Sequence, residues 1–267
     1  METFDPTDIE NKIILAKKQL KDLSSNFQSN FSNIENYIQK EVLEIENLIQ
    51  ENKRIIPEID FVEIKNNNVK SDMISFVKKK GCVVIQNVFK KELVNKWNDE
   101  LSNYIEANNY YDDQKEKAGL DQYFSELKSG KPQIFGLYWS KPQIQIRQSE
   151  NMAAVKIWLN NLWKNKFNEE TIFLPDKELV YADRVRRREA GDSSLGLSPH
   201  CDAGSVERWI DKAYQKIYEP IFCDNFENYD PFNAKYRNQT EEIPSRRTLE
   251  GKHGGRPAHQ DQRRSLR

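Results

Sequence analysis

His200 and Asp202 carry the plainest chemistry in this chain: an imidazole and a carboxylate two residues apart, in Leu197-Ser198-Pro199-His200-Cys201-Asp202. On an extended segment, positions i and i+2 project from one face, so the pair can share a metal ion. Two histidines and one carboxylate on one octahedral face hold ferrous iron and leave positions open for a co-substrate and O₂. A lone His-x-Asp also describes a surface loop with a capping aspartate, so the surroundings carry the weight. They are a strand-like stretch upstream, glycines at 191, 196 and 204, and a helix expected to begin after Gly204 or Ser205. Cys201 points to the opposite face of such a strand and reads as a packed thiol rather than a ligand.

A second group is Arg184, Arg186, Arg187 and Arg188. Arg184 and Arg186 are the candidates for binding a cofactor carboxylate, weighed against the commoner pairing of strand arginines with surface acids. Glu207 suits the start of the expected helix, and Trp209 reads as core.

The elements that position these residues are legible in the apolar spacing. From Ile9 to Ile49 apolar residues recur every three or four positions, which predicts one long amphipathic helix or a helical pair broken near Ser24-Ser25-Asn26. Such an arm reads as a packing element or a homodimer contact. Ser71–Lys80 is expected to be helical, capped by Ser71 or Asp72 and stopped by Gly81; Cys82–Ile85 reads as a buried strand, and Lys91–Asn108 as helix through Leu93, Trp97, Leu101 and Ile105. Ile134–Tyr138 and Gln143–Ile146 are expected as strands around a Lys141-Pro142 turn, Asn151–Lys164 as helix and Glu178–Arg187 as strand. Helices flanking a multi-strand region predict an α+β fold with a barrel or sandwich centre.

Composition narrows the functional classes. With 37% hydrophobic residues in 267 the chain can build a real core, and 41 basic against 42 acidic side chains give no electrostatic reason to expect nucleic acid or an anionic membrane as partner. An unknown small molecule is the expected substrate. No apolar run approaches a bilayer span and the start METFDPTDIE lacks a leader pattern, so a cytoplasmic location is expected. Three scattered cysteines, Cys82, Cys201 and Cys223, fit reduced thiols. Residues 245–267 hold 7 basic and 2 acidic side chains (net +5), whereas residues 1–244 hold 34 and 40 (net −6). With almost nothing to bury, that segment reads as a disordered basic tail foreign to the rest of the chain.

Gly81-Cys-Val-Val-Ile-Gln-Asn-Val-Phe89, the block from Gly191 to Trp209, and Tyr229-Asp230-Pro231-Phe232 resemble the YbiU-like family of oxygenase-like proteins. The resemblance runs from about residue 60 to Pro244. It implies a double-stranded β-helix (jelly-roll) core, an iron triad of His-x-Asp and a distal histidine, and 2-oxoglutarate as co-substrate, with His200 and Asp202 as metal residues. It further implies that the distal histidine and an oxoglutarate-clamping arginine fall after the basic segment begins; His253 and His259 there lie in no strand pattern. Three regions are therefore expected: an N-terminal amphipathic arm (1–60), an incomplete oxygenase-like jelly-roll domain (61–244) and the tail (245–267). The expected function is an Fe(II)/2-oxoglutarate dioxygenase-like protein, inactive on its own because two ligands hold iron weakly. The alternative is a non-catalytic scaffold that works through its N-terminal helix.

Overall fold

The expected helical pair is present as α1 (Ile9–Asp22) and α2 (Phe27–Gln50), on either side of the polar break. This computed structural model describes residues 8–23, 26–109, 134–177, 183–191 and 226–234. Lys79 and Lys80 both reach Glu41 and Glu44 on α2, with Lys79 to Glu41 at 3.2 Å and Lys80 to Glu44 at 3.4 Å. Tyr37 meets Phe226 edge-on at 5.7 Å. The Lys79 ammonium holds the Glu44 carboxyl below the usual carboxylate range. Exposed pairs of this kind are screened by solvent and weak, so they orient the arm more than they secure it.

After the buried Pro57, strand β1 (Glu58–Asp60) runs into the short helix α3 (Phe61–Lys65). Neither was expected from periodicity, yet Asp60-Phe-Val-Glu63 is a capping box. The Asp60 carboxylate accepts from the Val62 N–H at 2.9 Å, and the Asp60 N–H donates to Glu63 at 3.4 Å. Helix α4 spans Ser71–Lys80 as expected, but its cap position is Lys70 and no side chain caps it. Its end follows the sequence: Gly81 takes φ +67°, a conformation costly for any residue with a Cβ, and its N–H closes on Val77 O at 2.9 Å.

Strand β2 (Val84–Gln86) pairs in parallel with β1, Ile59 opposite Ile85. It corrects the expected buried strand: Cys82 and Val84 are exposed, because among the described residues β2 has one neighbour and turns only Ile85 toward the core. Helix α5 (Lys91–Ala107) buries Trp97 and Ile105 as its spacing predicted. Strand β3 (Ile134–Phe135) is a two-residue remnant of the expected longer one.

The largest correction falls on Gln143–Ile146. These residues lie in helix α6 (Lys141–Arg147). Four residues of apolar–polar alternation fit a strand, but Ser140-Lys-Pro-Gln143 is again a capping box with proline in the first turn, and the local signal for a helix start wins. Helix α7 (Glu150–Asn160) follows, capped by Ser149, and Asn151 donates to Val88 O at 2.6 Å. A hairpin of β4 (Lys166–Phe167) and β5 (Glu170–Thr171) and the strand β6 (Val185–Arg186) complete the elements among the described residues, with a 3₁₀ turn at Phe226–Asn228. Of the strand expected over 178–187, residues 178–182 lie outside the described residues, as do the helix after Gly204 and the basic tail.

The main core gathers Ile59, Phe61, Ile64, Val77, Val155 and Leu162, drawn from β1, α3, α4, α7 and the turn after it. A smaller cluster joins Ile105 and Val185 with Leu101 and Leu137. The described strands form three two-stranded sheets: β1 with β2, β3 with β6, and β4 with β5. Among the described residues no helix is long and apolar enough to cross a membrane.

Asp60 ties these layers together and gives the fold an acid-sensitive joint. The Val62 N–H, and then the side-chain amide of Asn87 just beyond β2, hold its carboxyl below the usual carboxylate range. A carboxyl lowered in the folded state stabilises above its unfolded pKa, and that contribution disappears as pH falls through the lowered value. The melting temperature should therefore drop as pH falls below about 4. Asp60→Asn keeps a capping oxygen but cannot titrate, so it should flatten part of that slope. Identical pH profiles for the two proteins would remove Asp60 from the account.

Candidate functional site

The segment bearing His200 and Asp202 lies outside the described residues, but the chain on either side of it is placed. Upstream, β6 pairs antiparallel with β3, Val185 opposite Phe135 and Arg186 opposite Ile134. Val185 is buried against Ile105, which seats the strand on α5. Downstream, the Lys164 N–H donates to Phe232 O at 2.7 Å, the Ala234 N–H donates to Lys164 O at 3.2 Å, and the Phe232 ring lies 5.2 Å from Trp163. Lys78 sits 5.3 Å above the Phe232 ring. Both flanks of the His-x-Asp block are thus pinned to the helical layer of α4, α5 and the end of α7.

The upstream anchor is a polar bracket centred on Gln143, a buried residue. Its Oε1 accepts from the Ser140 N–H at 3.0 Å and the Ser140 hydroxyl at 2.8 Å. Its Nε2 donates to Leu137 O at 3.0 Å and to Asp183 O at 2.9 Å. One side chain therefore caps α6, holds the segment after β3, and fixes the backbone just before β6. Arg147 repeats the join: it pairs with the Asp183 carboxylate, donates to Tyr138 O at 3.0 Å, and lies 4.8 Å from the Trp139 ring centroid. A guanidinium held by a carboxylate, a carbonyl and an aromatic face has little freedom left to lose on further contact.

The predicted arginines separate. Arg184 lies 5.7 Å over the Tyr138 ring, Arg186 is exposed on β6, and Arg187 donates to the Ser102 hydroxyl at 2.9 Å and pairs with Glu189 at 3.3 Å. Arg187 thus follows the surface-pairing expectation, while Arg184 takes an aromatic partner. Sequence reasoning missed Gln143, Arg147 and Asp183; the capping box at Ser140 was the available signal for the first. Beside this bracket is an open depression of about 480 Å³ walled by Tyr104, Leu137, Tyr138, Trp139 and Pro142, with Glu100 and Lys141 at its rim.

At the downstream anchor, burial pushes the Asp230 carboxyl up, but the Lys164 ammonium 2.7 Å away and the Phe232 N–H outweigh it and hold the group below the usual carboxylate range. Among the described residues no group of three or more His, Cys, Asp or Glu is gathered to hold a metal.

These features define a mixed helix-and-sheet protein whose helical layer holds the chain at Asp183–Arg187 and again at Asp230–Ala234. The chain belongs to the Gig2-like family, whose model matches residues 7–250. It is 33% identical over 237 residues to the uncharacterized protein YbiU of Escherichia coli K12, covering 89% of this chain and 56% of YbiU. Among solved structures it is similar to an oxidoreductase candidate of Salmonella typhimurium LT2, named "Putative Oxidoreductase" (TM-score 0.76, 34% identity, 89% of this chain and 56% of that one). It is also similar to the hypothetical protein JW0805 of Escherichia coli (TM-score 0.72, 30% identity, 89% and 55%). The GlcNAc-inducible protein GIG2 of Candida albicans matches at TM-score 0.60 and 26% identity, over 83% and 46% of the two chains. The chain spans about half the length of these relatives.

Proposed function

We propose that this chain carries part of an Fe(II)/2-oxoglutarate-dependent oxygenase site on a jelly-roll core, with His200 and Asp202 as two of the metal ligands and a small molecule as substrate. The single observation behind the reading is the His-x-Asp pair within the block Gly191–Trp209. The name of the Salmonella relative supports the broader class of oxidoreductase. As a donor set, one imidazole and one carboxylate suit ferrous iron better than a thiolate-selecting metal. When bound, the iron would supply oxidation of a C–H bond by O₂ coupled to decarboxylation of 2-oxoglutarate. The chain's own part is positioning: the Gln143 bracket upstream and the Lys164–Phe232 join downstream limit where the segment between them can go.

Manganese(II), an oxygen-insensitive stand-in for ferrous iron, gives a direct test through loss of its free-ion EPR signal. The chain should bind it, and His200→Ala and Asp202→Ala should each weaken binding by on the order of tenfold or more. Equal binding by all three proteins would sink the assignment. Succinate formation from 2-oxoglutarate, measured in parallel, separates metal binding from turnover.

A further inference from the structure

The α1–α2 arm carries apolar surface that the rest of the described chain leaves uncovered. On α2, Phe27, Ile38 and Ile49 recur eleven residues apart, as do Phe31 and Val42. An eleven-residue period is about 3.67 residues per turn, so these five side chains stay on one face of a nearly straight helix. Phe31 is 62% exposed, Ile49 55% and Ile38 54%, while Tyr37, Glu41 and Glu44, on a neighbouring face, make the contacts to the body. Glu35 and Glu46, also eleven apart and both exposed, border the apolar face on its open side.

Helix α1 has the opposite charge. It carries Lys12, Lys17, Lys18 and Lys21 against Glu10 and Asp22, a net of +2, whereas α2 carries Glu35, Glu41, Glu44 and Glu46 against Lys40, a net of −3. Ile14 is 50% exposed, and Lys17 and Lys18 follow it at i+3 and i+4, giving one apolar and basic face, while Lys21 at i+7 lies 5.9 Å over the ring of Phe27 in the same chain. That face complements the apolar and acidic face of α2.

We propose that the arm is a self-association surface: α1 of a second copy lies on the apolar face of α2, with the Lys17 and Lys18 end of α1 facing the acidic edge marked by Glu35 and Glu46, and the second copy's α2 receives α1 in return. Reciprocity is what a two-fold interface requires, since one patch must meet its own complement. The size is adequate: α2 is about 36 Å long. The five exposed side chains offer on the order of 500 Å² per copy, so two copies reach the roughly 1,000 Å² that a specific interface needs. An anionic membrane would also attract α1, but the acidic α2 beside it would be repelled.

Sedimentation of the full chain at micromolar concentration tests this. The chain should be a dimer. Ile38→Glu places a charge on an already exposed position, so it should leave the circular-dichroism spectrum unchanged while raising the dissociation constant at least about tenfold. Two charge-swapped chains add a stricter test: Lys17→Glu with Lys18→Glu in one, Glu35→Lys with Glu46→Lys in the other. Each alone should dissociate about tenfold more readily, and an equimolar mixture should regain the original affinity as a heterodimer, since both interfaces are then complementary. A monomer at every concentration, a dimer indifferent to Ile38→Glu, a mixture no tighter than its parts, or a monomer that instead pellets with phosphatidylserine vesicles would each overturn the proposal.

Discussion

Gln143→Ala should destabilise the protein by about 3 kcal/mol, because the half-buried Leu137 and Asp183 carbonyls and the buried Ser140 N–H lose their partner together. For a chain of this size that is a fall in melting temperature of roughly 10 °C, measured by differential scanning calorimetry. Gln143→Glu is the sharper variant. It keeps the shape and the acceptor but removes the amide that donates to two carbonyls, and it turns a carboxylate toward the Asp183 side chain. It should be at least as destabilising as alanine at neutral pH and recover partly on acidification. A loss under about 1 kcal/mol for both variants would mean that water replaces the amide, and that the bracket does not hold β6. Because β6 leads toward His200, the proposed metal binding should weaken in Gln143→Ala even below its melting transition.

The second large effect belongs to Ile59. It is among the most deeply buried side chains of the described fold, at 2% exposure, and faces Ile85 across the parallel pair of β1 and β2. Ile59→Ala removes three carbons from a site walled by Phe61, Ile64, Val77 and Val155, and should cost about 3–4 kcal/mol in urea unfolding. Ile59→Val should cost only about 1 kcal/mol, since it removes one methylene and keeps the β-branch. If alanine and valine are equally harmful, shape at the β1–β2 junction outweighs volume. If neither matters, the strand pair is not part of the cooperative core.

Much of the helical layer was legible in the order of residues. The spacing of Trp97 and Ile105 announced which side of α5 is buried, and Gly81 announced the end of α4, because a left-handed residue there is cheap only for glycine. The polar Ser24-Ser25-Asn26 falls between the end of α1 at Asp22 and the start of α2 at Phe27. Those signals are local: a helix closes its hydrogen bonds within four residues, so its pattern and its partners lie in the same stretch of chain. The His200-Asp202 pair was likewise visible as donor chemistry at a fixed spacing.

Gln143 shows where local reading stops. Alternation over Gln143-Ile144-Gln145-Ile146 fits a strand by period, and only the Ser140 cap tips it to helix. Within that helix the two glutamines do different work: Gln143 reaches back to Leu137 and across to Asp183, and Gln145 accepts from the Trp97 indole at 2.8 Å. No pattern of types or spacing links residues 40 or more positions apart. Strand β1 is similar, since its three residues carry little periodicity and acquire their identity only by pairing with β2. By itself, therefore, the sequence determined the longer helices α1, α2, α4, α5 and α7 and the candidate metal donors, because each depends on neighbours along the chain. The strand pairs, the Gln143–Asp183 bracket and the two anchors of the His-x-Asp segment were decided by the tertiary structure, because each depends on backbone groups brought together only once the helices have packed.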